Sequence, residues 1–134
     1  MKFTAIRENH LFVKAYRGGK CARAKNVTVY VLRDRQSRRF MRARADKQYI
    51  NRIGISASKK IGGAVERNRA KRVIREALRL LMGETPLKTG YLIVIAARES
   101  ATVCQMQDVK RDLQYAMKRL DMLREPSAGG ESDK

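Results

Sequence analysis

The chain reads as a single α+β domain, and three observations carry that reading. Two segments, Asn26 to Leu32 and Arg52 to Ser58, alternate apolar and polar residues with the period of a half-buried strand. After Gly63, apolar residues recur at threes and fours, the period of a helix with one buried stripe. Between that helix and a second of the same kind lies "GYLIVIAAR", Gly90 to Arg98, apolar on both faces as a covered strand requires. A chain of 134 residues buries about two-thirds of its unfolded surface, so one core suffices without staples.

The elements follow in order. "NHLFVKAYR", Asn9 to Arg17, is a short helix: Asn9 caps it, Gly18-Gly19 ends it, and Phe12 and Tyr16 lie four apart on one face. In the first alternating strand Val27, Val29 and Val31 oppose Asn26, Thr28 and Tyr30; in the second, Ile53, Ile55 and Ala57 oppose Arg52, Gly54, Ser56 and Ser58. Each strand offers an apolar face to a core and a small, polar, partly aromatic face to something else. Between them, Arg33 to Asn51 shows no strand period and holds seven cations against two aspartates in Arg33 to Lys47, which predicts a long basic loop.

The next helix begins near Gly63 or Ala64 and buries Ala70, Val73, Ile74, Ala77, Leu78 and Leu81. At 100° per residue Asn68, Arg72, Arg75 and Arg79 cluster on its other side. Gly83 is its expected stop and Pro86 forbids continuation. The last helix runs from about Val103 to Arg124, with Thr102 and Gln105 as an expected capping box. Glu125 to Lys134 is a polar, acidic tail expected to be disordered, leaving a domain of residues 1–124.

The formal charge is +18, from 31 Lys and Arg against 13 Asp and Glu. Such a charge repels itself, and an anionic partner relieves it; nucleic acid and acidic membrane are the usual candidates. Membrane is disfavoured because no apolar run approaches the roughly 18 residues of a spanning helix. "MKFTAIRENHLF" has no continuous apolar segment of the signal-peptide kind, so the expected location is the cytoplasm. Cys21 and Cys104 have no CxxC spacing and only His10 could accompany them, so two reduced thiols are expected, with no disulfide or zinc site.

With one imidazole, no Ser-His, Cys-His or His-metal arrangement can be built, and the carboxylates mostly alternate with cations as helix-surface pairs. No residue is assigned a catalytic role. Phosphate binding has the stronger case. "SKKIGGAVERNRAKR" sets Lys59 and Lys60 at a strand end, two glycines in the connection, and a cationic helix next, with six net positive charges from Lys59 to Arg79. Asn68 adds a donor and acceptor that reaches a ribose hydroxyl or base edge. A solvated charged face is the plainer alternative. Phe12, Tyr16 and Tyr30 form a second surface on which unpaired bases can stack, with core packing as the alternative for Phe12 and Tyr30.

At these residues the chain resembles the protein component of bacterial ribonuclease P. The resemblance rests on "NRIGISASKKIGGAVERNRAKRVIREALR", Asn51 to Arg79, on F-x-x-x-Y-x-x-G at Phe12, Tyr16 and Gly19, on the strand with Tyr30, and on "GYLIVIAAR". It covers about Arg7 to Leu123. It implies an αβββαβα sandwich like one domain of a small-subunit ribosomal protein, with a four-stranded central sheet, a left-handed crossover into the last strand, and a short strand near Lys20 to Ala24. It also implies that Arg67, Asn68, Arg69, Lys71, Arg72 and Arg75, to which the residue reading adds Lys59, Lys60 and Arg79, contact a catalytic RNA subunit. Phe12, Tyr16 and Tyr30, with Lys25 and Arg52, would take the single-stranded 5′ leader of precursor tRNA. The implied reaction is endonucleolytic removal of that leader by the RNA with magnesium held mainly by the RNA, one protein serving one RNA. The basic loop is longer than in many members, and Val27 and Leu11 stand where aromatic or polar residues are common. Two rivals remain at this point: a ribosomal or similar structural RNA-binding protein, and a DNA-binding regulator reading a groove with Asn68 to Arg79, the latter disfavoured by the stripe that packs the helix down.

Overall fold

The computed structural model of the protein describes residues 3–6, 9–34, 51–88 and 90–123. The interior of the expected basic loop at 33–51 and the expected tail at 125–134 lie outside the described residues.

Strands β1 (Phe3–Ala5), β2 (Lys20–Arg23), β3 (Val27–Arg33), β4 (Asn51–Ser56) and β5 (Tyr91–Ala97) form one sheet in the order β1-β4-β5-β3-β2. Helices α1 (Asn9–Gly18), α2 (Ala64–Glu84) and α3 (Met106–Arg119) complete the fold. The expected central sheet is the four strands β4-β5-β3-β2; β1 adds three residues in parallel at the β4 edge, a strand too short to leave a period in the sequence. The strand near Lys20 is present as β2, antiparallel to β3.

Both β-patterns are explained by what covers each face. Val27, Val29 and Val31 of β3, Ile53 of β4 and Ile93 and Ile95 of β5 pack against Ile74, Leu78 and Leu81 of α2 and Val109, Leu113 and Met117 of α3. The alternate residues Leu92 and Val94 pack on the other face against Leu11 and Ala15 of α1, with Ile6 beside them. β5 is apolar throughout because it lies in the middle of the sheet with helices over both faces.

β4 and β5 are parallel and joined through α2. The Arg98 N–H donates to Asn26 O, so the even-numbered amides of β5 point to β3 and those of Ile93 and Ile95 point to β4. Because the Ile93 and Ile95 side chains face α2, L-chirality places β4 to the right of an upward β5 seen from the α2 side. The chain therefore passes over the sheet leftward, the left-handed crossover that the resemblance implies and that general topology disfavours.

Three boundaries differ from expectation. α2 runs one residue beyond Gly83, which is helical and has nothing within 4 Å of where a Cβ would sit. Thr85 closes the helix by donating its N–H to Leu81 O, and Pro86 follows. At the last helix, Thr102 does not form a box with Gln105: it belongs to a 3-10 turn, Glu99–Thr102, and its hydroxyl donates to Glu99 O. Gln105 is the cap residue and its N–H donates to the Asp108 carboxylate at 3.1 Å, so α3 starts at Met106 and ends at Arg119, shorter at both ends than its apolar spacing suggests. The residues added by that spacing, Leu120 and Leu123, still pack on the core from the turn beyond the helix.

Candidate nucleic-acid interface

The face of the sheet under α1 carries the aromatic residues. Tyr30 on β3 lines up with Val94 on β5 and, across it, Gly54 on β4. Tyr16 of α1 reaches down to this surface: its ring meets the Tyr30 ring edge-on with centroids 4.9 Å apart, and its hydroxyl hydrogen-bonds the Ser56 hydroxyl at 2.7 Å. Phe12, one turn earlier, is half-buried and lies over Gly54, where a Cβ would stand 2.6 Å from the Phe12 Cζ. Any side chain at 54 would therefore displace the Phe12 ring from its place over the sheet. Both readings of these rings hold in part: Phe12 and Tyr30 pack against the small core under α1, while Tyr16 is 40% exposed. The partly exposed Tyr16 and Tyr30, with Ser56 and Ala96, leave an uncovered strip beside the helix.

The two cations assigned to this cleft lie at its opposite ends. Lys25 is exposed in the β2–β3 turn, held by the Ser100 hydroxyl donating to its carbonyl at 3.0 Å. Arg52 is buried: its Nε and Nη2 donate to the two Asp34 carboxylate oxygens at 2.6 and 3.0 Å. The fork geometry fixes where β3 leaves the sheet relative to where β4 enters it. In the sequence Asp34 is one of two acids in a basic stretch, and nothing in its neighbours marks it as the partner of Arg52.

On the other side of the sheet, α2 starts cleanly. Gly62 has φ of 151°, a conformation L side chains rarely adopt, and the Gly63 N–H donates to the Glu66 carboxylate at 3.0 Å. Lys59 and Lys60 are exposed in the 3-10 turn Lys59–Ile61 just before. Asn68, Arg72 and Arg75 are exposed on the helix side away from Ile74 and Leu78, as the 100° spacing requires. Arg79 shares that side and is paired with Glu76 at 2.7 Å. Lys71 is half-buried.

Arg67 and Arg69 behave differently from their exposed neighbours. Seven positions separate Arg67 from Ile74, which puts the two within about 20° on the helix. Arg67 is accordingly half-buried, and its Nε is buried with no hydrogen-bond partner among the described residues. Arg69 turns its guanidinium inward: Nη1 donates to Ala101 O and Thr102 O at 3.3 and 2.9 Å, and Nη2 to Cys104 O at 2.9 Å. It therefore ties the turn between β5 and α3 to the first turns of α2. Sequence reading missed this role because the acceptors are backbone carbonyls, which no residue type advertises. Burial, and secondarily the Asp108 carboxylate, raises the pKa of the nearby Cys104 thiol above its ordinary value. Cys21 and Cys104 are both free. Among the described residues no three His, Cys, Asp or Glu stand close enough to hold a metal ion.

Comparison with known proteins gives the family of the chain. The family model described as Ribonuclease P matches residues 1–121. The ribonuclease P protein component of Clostridioides difficile is 34% identical over 117 residues, covering 87% of this chain and 91% of that protein. That of Exiguobacterium is 36% identical over 114 residues, covering 85% and 87%. Among solved structures, the RNase P protein of Staphylococcus aureus superposes with a TM-score of 0.68 at 25% identity, over 92% of this chain and all of that one. The RNase P protein of Thermotoga maritima shares the fold with a TM-score of 0.62 at 23% identity, over 83% and 92% of the chains. A family match over nearly the whole chain, with relatives more than 30% identical over most of both chains, shows that the chain belongs to the ribonuclease P protein family.

Proposed function

We propose that this protein, a subunit of the ribonuclease P endoribonuclease, binds the catalytic RNA with the exposed side of α2 and the 5′ leader of precursor tRNA with the cleft beside α1. The observation that supports the reading best is the two-sidedness of the sheet. One face carries Asn68, Arg72 and Arg75 pointing outward, and the other carries the touching rings of Tyr16 and Tyr30. The first suits the phosphates of a structured RNA and the second the bases of a single strand. Lys59 and Lys60 extend the first surface and Lys25 the second. Arg52 serves the cleft through Asp34, by fixing its floor. Residues 1–124 act as one RNA-binding domain, one per RNA, in the cytoplasm; among the described residues no helix is long and apolar enough to cross a membrane.

In this reading the RNA subunit carries out phosphodiester hydrolysis and holds the magnesium it uses, and the protein supplies binding surfaces. The test is reconstitution. Protein and RNA subunit together should remove the leader at low magnesium, and the protein alone should cleave nothing. Activity that survives ribonuclease treatment would overturn the assignment. In the reconstituted enzyme, Tyr30→Ala should weaken leader binding by about 1–3 kcal/mol if the ring stacks a base. Equal leader dependence in variant and parent would make Tyr30 a packing residue only.

A further inference from the structure

We propose that the outer side of α3 is a third RNA-binding surface, which takes leader nucleotides upstream of those held beside α1; it rests on the leader reading above. α3 buries Val109, Leu113, Ala116 and Met117 against the sheet and α2. Its opposite side exposes Arg111, Tyr115, Lys118 and Arg119. Tyr115 is 51% exposed in the middle of a well-formed helix and belongs to neither core cluster. Arg111 and Arg119 flank it at four residues on either side, hence on the same face and about 6 Å away along the axis. Among the described residues Lys118 and Arg119 form no ion pair, and the contact of Arg111 with Asp108 is 4.0 Å long. An exposed ring between cations that track a backbone is the pattern of a single-strand platform, whereas a duplex shields its base faces.

The surface is continuous with the cleft. Lys25, at the Ala97 end of the sheet, and Arg111 line the same crevice of about 320 Å³ between the β2–β3 turn, the turn before α3, and α3 itself. Its two carboxylates accept hydrogen bonds from neutral groups of the protein and keep their charge. Asp112 accepts from the backbone and side-chain nitrogens of Asn26, both at 2.8 Å, and Asp108 accepts from the Gln105 N–H. A strand leaving Tyr30 over the β2–β3 turn therefore meets Lys25, then Arg111, then the Tyr115 ring. The cations Lys25, Arg111, Lys118 and Arg119 outnumber the carboxylates Asp108 and Asp112 along this path, and its far end offers a stacking surface.

The holoenzyme reconstituted with its RNA subunit tests this with two precursor tRNAs, whose leaders of about 4 and about 16 nucleotides bracket the site sizes of single-strand-binding folds. The variant Arg111→Gln/Tyr115→Ala/Arg119→Gln should bind the long-leader substrate about tenfold more weakly than the parent and the short-leader substrate equally well. A photo-crosslinking side chain in place of Tyr115 should label leader nucleotides upstream of those labelled from position 30. Loss of affinity for both substrates alike, weakened binding of the RNA subunit itself, or no change for the long leader would each overturn the proposal. Tyr30→Ala separates the two readings. If it weakens both substrates while the triple variant changes neither, the cleft stands and the α3 surface fails; if it changes neither while the triple variant still discriminates, the cleft fails and α3 stands.

Discussion

Arg69 and Arg72 sit three residues apart on one helix and have the same charge, yet their surroundings give them different work. Arg72 is exposed with its donors outward, while Arg69 spends three hydrogen bonds on the carbonyls of Ala101, Thr102 and Cys104. A cation that neutralises a phosphate releases a counterion, so removing it flattens the dependence of log affinity on log salt by about one unit. Arg72→Ala and Arg75→Ala should each show that change in binding to the RNA subunit. Arg69→Ala should lower stability and affinity together and leave the slope unchanged, because the turn it holds is lost and no phosphate contact is. A slope reduced equally at position 69 would show that its guanidinium leaves the carbonyls when RNA arrives.

The packing of α1 on β4 depends on the absence of one side chain. A methyl at position 54 would stand 2.6 and 2.7 Å from Phe12 Cζ and Cε1, so the ring must move, and 3.1 Å from Ile6 Cβ, a tight contact. Gly54→Ala should therefore destabilise by about 1–3 kcal/mol, the usual cost of overpacking, and displace Phe12 from its place beside Tyr16. Phe12 is the flexible member of the contact, so the double variant Gly54→Ala/Phe12→Leu should recover part of the stability, a positive coupling read from denaturant midpoints. Strict additivity would mean that the helix, not the ring, gives way. At this scale the sequence was legible for most elements, though it overran both ends of α3. α1, β3, β4, α2 and β5 all lie within about two residues of their expected positions, because period 2 and period 3.6 leave different imprints on six or more residues. β1 pairs through only Phe3 to Ala5, too few for a period. Gly83 misled because glycine often ends helices; here Thr85 and Pro86 do so and Gly83 is carried inside. The outward group Asn68, Arg72 and Arg75 followed from geometry alone. The Arg52–Asp34 and Arg69–carbonyl contacts did not, since they join segments whose proximity only the folded sheet creates.

For the whole molecule the deciding quantity is the charge of +18, set against ion pairs that are mostly at the surface. Exposed pairs of that kind contribute about 0–1 kcal/mol each and neutralise little of the field. In the free protein the remaining cations repel one another over roughly the 10 Å Debye length of 0.1 M salt, and this repulsion opposes folding. The same cations attract RNA, and salt weakens that attraction too. The two effects have opposite consequences. Raising the salt from about 0.05 M to about 0.5 M, which shortens the screening length severalfold, should raise the thermal midpoint of the free protein by several degrees. Over the same range its affinity for the RNA subunit should fall by orders of magnitude. Calorimetry of the free protein and filter binding of the complex measure the two trends in one buffer series. A midpoint that stays flat or drops while affinity falls would mean that the cations are held far enough apart not to strain the fold, and the cost of carrying so much charge would then lie only in the attraction of unwanted polyanions.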